Sequence, residues 1–265
     1  MTQNEKQFLA KKNKIRKVLI FNCDYPKDYL VDDYGDYADM GIRLLSTADQ
    51  DKYVDKYEKI NVINNELPNE LSADIIGIYI TGSHYDSFST EHEWIIKLRS
   101  WLSNFFSNKE TSYYNRIPIV GVCFGHQIIA CSLGCKVIRN PKGFEGGVIN
   151  VELDSKVGKK IFAGLDTLRL NLFHNDIVVE KPTEFRSWGS TNKCQYQGFY
   201  SENRILTVQG HPEFSNAINE KLLQVAKKDG MLNDDEYENL LDTLRMESQG
   251  ALFAQYILKL FKGEI

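Results

Sequence analysis

The stretch Ile117 to Ala130, IPIVGVCFGHQIIA, constrains the fold more than any other part of the chain. Ile117, Ile119, Val120 and Val122 form a short β-branched run behind Pro118, and such a run predicts a buried strand. Gly121-Val122-Cys123-Phe124-Gly125 then predicts a tight turn, and Gln127, Ile128, Ile129, Ala130 and Leu133 predict a helix packed on the sheet. A cysteine at the tip with a glycine two residues to either side repeats, with sulfur for oxygen, the geometry of a nucleophile elbow. The glycines are needed because a sharp turn presses neighbouring side chains against backbone. Such a turn lifts the sulfur out of the sheet and sets it beside a helix N-terminus, where free N–H groups and the helix dipole favour a thiolate. A core cysteine between two turn glycines is the plainer alternative, and the flanking strand and helix count against it.

A chain of 265 residues is long enough to bury a full α/β core. The formal net charge is −4 and the Lys and Arg residues are scattered, so nucleic-acid binding has no electrostatic footprint. The first sixteen residues are polar and Lys-rich, which excludes a secretory signal, and Glu5 argues against a transit peptide. No apolar run reaches membrane-spanning length, so the expected compartment is the cytoplasm. The five cysteines, Cys23, Cys123, Cys131, Cys135 and Cys194, are an odd number and read as reduced thiols. Cys131 and Cys135 lack a second Cys or His pair for zinc and read as small buried residues. With no ligand cluster and no dinucleotide fingerprint, neither a metal nor a cofactor is expected.

Along the chain, residues 1–16 read as a flexible tail and 17–265 as one α/β domain. Lys17 to Cys23, Lys59 to Ile63 and the strongly apolar Asp74 to Ile80 read as the first three strands. Tyr25 to Asp36 reads as a long loop, with Tyr25, Tyr29, Tyr34 and Tyr37 either packing it or walling an acceptor site. Ala38 to Leu45 reads as a helix. Thr90 and Glu93 suggest a capping box for an amphipathic helix carrying Trp94, Leu98 and Phe105, and Ser107 to Asn115 a polar linker. Beyond the elbow, strands are expected at 136–139, 147–153, 168–173, 185–190, 197–200 and 205–208, then helices at 217–228, 234–246 and 250–261. Helices alternate with strands before the elbow and strands dominate after it. A central, mostly parallel mixed sheet flanked by helices, with an added antiparallel portion, fits that order.

A nucleophilic cysteine needs a base, and the base a group to orient it. Thr207-Val208-Gln209-Gly210-His211-Pro212-Glu213-Phe214 supplies both. His211 and Glu213 stand two apart just beyond a strand, and residues two apart in extended chain project to the same side. The carboxylate can reach one imidazole nitrogen while the other faces the sulfur. His126 neighbours the nucleophile but starts a helix in a poor direction for a base, and reads as structural. His84 reads as a solvated loop residue or as part of the site mouth, and nothing marks His92.

G-V-C-F-G-H-Q followed by G-H-P-E, with Cys, His and Glu in that order, resembles the class I (triad) glutamine amidotransferases over roughly Lys17 to Phe261. The stand-alone, GMP synthase-like domains, a group that includes plant γ-glutamyl peptidases, look most similar. The resemblance implies a flavodoxin-like sheet, with Cys123 as nucleophile, His211 as base and acid, and Glu213 as orienting carboxylate. It implies an oxyanion hole from the backbone N–H groups of Phe124 and of Gly82 or Ser83. Gln127, His174 and Asn175 become candidate substrate contacts, and Phe144-Glu145-Gly146-Gly147 resembles the segment beside the family's glutamine pocket. For Gln127, hydrogen bonds to backbone alone are the alternative, and for His174 and Asn175 an ordinary turn. Two departures stand out: Gly82-Ser83-His84 replaces the frequent Gly-Gly-Pro, and no synthetase domain follows.

The expected activity is therefore cleavage of a γ-glutamyl amide, glutamine or a γ-glutamyl peptide, through a thioester on Cys123. A glutaminase subunit supplying ammonia to a synthetase partner is one alternative. A non-catalytic binding or regulatory domain on the same fold is another, and the intact Cys123, His211 and Glu213 set counts against it. A PfpI-like cysteine hydrolase would place its histidine beside the nucleophile, and the G-H-P-E run counts against that too.

Overall fold

The computed structural model describes residues 15–107 and 116–265. The first strand, β1 (Lys17–Asn22), alternates its apolar residues between two cores, as the period of two in extended chain requires. Val18 and Ile20 join one cluster, with Val120, Leu206, Val208, Phe253 and Ile257. Leu19 and Phe21 join the other, with Ile78, Ile119, Leu98, Ile128 and Ile129. A sheet buried on both faces needs such strands throughout, and β3 (Ile75–Ile80), β4 (Ile119–Val122) and β11 (Ile205–Val208) supply them.

Nine strands make the main sheet. With β2 (Lys56–Asn61), β6 (Glu145–Leu153), β7 (Thr167–His174), β9 (Arg186–Ser190) and β10 (Gly198–Ser201), their order is β2-β1-β3-β4-β11-β10-β9-β6-β7. The half from β2 to β11 is parallel, and β10, β9, β6 and β7 add the antiparallel portion. A separate pair joins β5 (Val137–Arg139) to β8 (Asp176–Val178). This is the mixed α/β sheet expected from the order of elements. The helices are α1 (Asp28–Tyr34), α2 (Tyr37–Ala48), α3 (Glu93–Ser107), α4 (Phe124–Ser132), the single turn α5 (Gly158–Ile161), α6 (Asn216–Lys228), α7 (Asp234–Thr243) and α8 (Gly250–Lys262).

Several local expectations are corrected. The supposed loop 25–36 contains α1, whose only buried residue is Leu30. A helix with one buried side chain leaves no amphipathic pattern to read. Leu30 packs with Tyr37, Met40, Phe214, Ile218 and Leu222. Strand β2 begins three residues before Lys59, and Val62 and Ile63 belong to a 3-10 turn at Val62–Asn64. Being an edge strand with the sequence KYEKIN, β2 shows no apolar run. Helix α3 starts at Glu93, with Ile96 N donating to His92 O at 3.3 Å, so Thr90 is not its cap. Capping boxes form instead at Asp36 with Asp39, at the start of α2, and at Asn233 with Glu236, at the start of α7. Neither α5 nor β8 was anticipated. The expected tail falls largely on residues 1–14 and the expected linker on 108–115, both outside the described residues.

Candidate active site

Strand β4 ends at Val122, α4 begins at Phe124, and Cys123 between them has φ 47° and ψ −101°. A non-glycine residue in such a conformation is strained and persists only where its surroundings fix it. Cys123 N donates to Val208 O at 2.8 Å and Cys123 O accepts from Gln127 N at 3.0 Å, which ties the turn to β11 and to α4. The flanking glycines are both demanded by close approach. A Cβ on Gly121 would meet the Gly125 carbonyl at 2.6 Å, and one on Gly125 would meet Ile80 O at 2.4 Å. Side chains at either position would push the helix off the sheet.

Neighbouring β11 delivers the partner residues. His211 Nδ1 and Glu213 Oε1 lie 2.8 Å apart, with side chains 5% and 1% exposed. His211 N donates to Asn171 O at 2.7 Å, which fixes the backbone. Phe214 stacks flat on the imidazole, with ring centroids 4.0 Å apart and planes at 4°. With Nδ1 committed to Glu213, the ring's Nε2 is left free for Cys123, which borders the same cavity. Burial disfavours the charged imidazole, but the charges of Cys123 and Glu213 outweigh it and raise His211 to about 10.

The end of β3 closes the other side. Thr81 Oγ1 accepts from Cys23 N at 3.0 Å and Thr81 N donates to Phe21 O at 3.1 Å, locking the strand end to β1. Gly82 follows, and a Cβ there would stand 2.8 Å from His211 Cε1 and 3.7 Å from Cys123 Cβ. Its backbone thus lies directly against both groups. Phe124 is the first residue of α4, so its N–H has no partner within the helix by position.

Comparison with family models matches residues 58–225 to glutamine amidotransferase class-I. The chain belongs to the class I glutamine amidotransferase family. Among relatives, a Saccharomyces cerevisiae protein that carries a glutamine amidotransferase name is 41% identical over 258 residues, covering 95% of this chain and 99% of that one. Gamma-glutamyl peptidase 2 of Arabidopsis thaliana is 28% identical over 234 residues, covering 87% of this chain and 89% of that one. A crystal structure of a glutamine amidotransferase from Thermotoga maritima matches with a TM-score of 0.69 over 94% of this chain and 99% of that chain. At 20% identity that likeness is one of fold.

Within this amidotransferase fold, a cavity of about 510 Å³ opens onto Cys123 and His211, with Ser83, Tyr37 and Phe173 also in its wall. Gln127, His174 and Asn175 do not line it. Gln127 is buried, and its Nε2 donates to Asp176 O at 3.2 Å and to Gln209 Oε1 at 3.1 Å. His174 faces Glu145 across β6 and β7. Its Nε2 lies 3.0 Å from Glu145 Oε2 and its Nδ1 3.1 Å from Asp176 O, so both ring nitrogens have partners. Gln197 Nε2 donates to the same Glu145 oxygen at 2.9 Å. Asn175 is half-buried between β7 and β8, and its carbonyl accepts from Asn140 N at 2.7 Å. Gln127, His174, Glu145 and Gln197 form a buried polar network joined to the sulfur through Gln209.

Gln209 was missed. Its Nε2 lies 3.5 Å from Cys123 Sγ, and its Oε1 joins it to Gln127. The period of two that pairs Glu213 with His211 also carries Gln209 to the same side, which was the available signal. Lys27 in the cavity wall and the buried Asp24 that binds it were missed too, whereas Tyr29 and Tyr37 do wall the cavity.

His84 lines the cavity, and His126 is structural as expected. His126 Nδ1 lies 2.8 Å from Thr207 Oγ1, and burial pushes its pKa down to about 3. His92 packs against Tyr85 at 4.6 Å between ring centroids. Cys131 and Cys135, at and just beyond the end of α4, are half-buried rather than buried. Burial raises both thiols, raises Cys194 to about 12, and raises Cys23 further. Among the described residues, no group of three or more His, Cys, Asp or Glu side chains is placed to hold a metal ion. No helix among them is long and apolar enough to cross a membrane.

Proposed function

We propose that this protein hydrolyses γ-glutamyl amides through a γ-glutamyl thioester on Cys123. The observation that carries the reading is the strained Cys123, at a strand-to-helix turn, sharing His211 with Glu213. The thiolate attacks the γ-carbonyl carbon, and the N–H groups of Phe124 and of Gly82 or Ser83 receive the oxygen as it gains charge. Removing one such donor costs about a hundredfold or more in rate. As the tetrahedral intermediate collapses, the C–N bond breaks and His211 gives its proton to the leaving amine. Water then takes the place of the amine. His211, now neutral, accepts a proton from it as it attacks the thioester, and glutamate leaves with the thiolate restored. Glu213 holds the imidazole orientation and stabilises its charged form.

The named γ-glutamyl peptidase relative supports hydrolysis, because it matches along most of its own length. A γ-glutamyl small molecule and water are the only reactants this scheme requires, so it needs no synthetase partner, metal or cofactor. The test is incubation of the purified protein with glutamine, glutathione and γ-glutamyl dipeptides, followed by identification of the released amine. Release of glutamate from at least one, lost in Cys123→Ala, is expected. Release from none, or release that persists in Cys123→Ala, overturns the reading.

A further inference from the structure

The cavity at Cys123 has room for more than a glutamyl group and ammonia. Its volume of about 510 Å³ falls within the roughly 300–1,000 Å³ of pockets that enclose a ligand much larger than one amino acid. One wall is apolar and comes from α6 and the turn after it, with Leu222, Val225 and Met231. Tyr29 lines the same cavity from α1. Met231 at 47% exposure and Tyr29 at 40% are among the few large hydrophobic side chains left open to solvent. A partner for them in the cavity would cover apolar surface that the fold itself leaves bare.

A fixed pair of nitrogen-bearing side chains borders the same cavity. Lys27 and His84 both line it. They are held by Asp24, whose side chain is 1% exposed. Asp24 Oδ1 lies 2.9 Å from Lys27 Nζ and 2.8 Å from His84 Nδ1, and Asp24 Oδ2 accepts from His84 N at 2.9 Å. Burial would push the Asp24 carboxyl up, but His84 and Lys27 outweigh it and hold it below its usual range. Lys27 carries three N–H donors and presents a charged head on a positioned stem. The anionic Asp229 also borders the cavity, so a bound carboxylate is favoured at Lys27 and His84 and opposed at Asp229.

The pair shares its cavity with the group that protonates the leaving amine. The leaving amine takes its proton from His211, and His211 borders the cavity together with Lys27 and His84. Gln209, bonded to Gln127, lies against the sulfur and is not part of the cavity wall.

We propose that the site selects γ-glutamyl amino acids whose amine-side residue has a large apolar side chain and a free α-carboxylate, the carboxylate being met by Lys27 and His84. This rests on the hydrolase reading above and narrows it to a substrate class that excludes glutamine as the preferred substrate.

The experiment compares kcat/KM for γ-glutamyl-phenylalanine, the same compound with its C-terminal carboxylate amidated, and glutamine, in the wild-type protein and in Lys27→Met. A preference for the free acid over the amide of about tenfold is expected in the wild type, the scale of one charge-assisted hydrogen bond. Glutamine should be the poorest of the three, and Lys27→Met should erase most of the acid-over-amide preference. Equal wild-type values for acid and amide overturn the inference and leave the hydrolase reading standing. A Lys27→Met loss of equal size for all three also overturns it, because Lys27 would then serve the glutamyl end. Turnover of none of the three, together with no acylation of Cys123, overturns both.

Discussion

Gln209 Nε2 lies 3.5 Å from Cys123 Sγ, and it is the only side-chain amide among the described residues seen donating to that sulfur. Gln127 holds the amide in place by bonding its oxygen. Gln209→Leu keeps the bulk and removes the donor. The rate of Cys123 alkylation by iodoacetamide at neutral pH should fall about tenfold, matching the ~1.5 kcal/mol of a hydrogen bond to a charged group. An unchanged alkylation rate would show that the amide does not influence the sulfur.

The elbow itself is a steric construction. Ile80 O would stand 2.4 Å from a Cβ at position 125, and backbone cannot swing aside as a flexible side chain can. Gly125→Ala should destabilise the protein by about 1–3 kcal/mol, the range for overpacked sites. Urea denaturation monitored by tryptophan fluorescence measures this. A variant as stable as the wild type would mean that α4 can lift from β3 freely.

The elbow and the G-H-P-E run were legible in sequence because each is a local pattern with a geometric reason. Gly121 and Gly125 bracket Cys123 symmetrically, and a period of two aligns His211 with Glu213. The central strands were legible because Ile78, Val120 and Leu206 are buried on a sheet with two covered faces. Helix α1 was not, since Leu30 alone faces the core, and β2 was displaced because an edge strand has little apolar surface to show. Direction across the site was not legible either. Spacing places Gln127 one helical turn beyond Cys123, but only the packed structure shows its amide turned toward Gln209 and Asp176. Asp24 joins Lys27 to His84, some sixty residues further along the sequence, and no local pattern links them.

His211 should report the state of the sulfur. Cys123 and Glu213 both raise its pKa, from 6.5 to about 10, against the effect of burial. In Cys123→Ala one of the two charges is gone, so the His211 titration observed by NMR should move to lower pH. In the proposed mechanism the same loss accompanies thioester formation and leaves the imidazole to act as a base in the second half of the reaction. Because the folded-state pKa is raised, the stability this pairing contributes is complete below pH 6.5 and fades as pH rises through about 10. Identical titrations in the two proteins would remove the thiolate–imidazolium pair from the account.

Asp176 carries the opposite linkage. Burial raises its carboxyl to about 7, Arg139 opposes the shift and Asp86 adds to it. Arg139 Nη1 lies 2.8 Å from Asp176 Oδ1 and Arg139 Nη2 3.0 Å from Asp86 Oδ1. Ionising a group with a raised folded-state pKa lowers stability as pH climbs from 3.8 to about 7 and leaves the deficit constant above that. Asp176→Asn mimics the protonated form and should raise Tm by about 2–4 °C at pH 8, for a gain of ~1 kcal/mol in a chain of this size. Little change is expected at pH 4. A lower Tm at pH 8 would show that the ion pair with Arg139 outweighs the burial of the charge.

The most direct test of the central claim is the site at which an electrophilic glutamine analogue reacts. The protein is incubated with the analogue, digested, and the modified cysteine located by mass spectrometry. Cys123 alone should be labelled, because the other thiols are held protonated by burial and none faces the cavity. The label should be lost in Cys123→Ala and formed far more slowly in His211→Asn. Labelling spread over Cys23, Cys131 or Cys194, or labelling of Cys123 at an undiminished rate in His211→Asn, would contradict the mechanism.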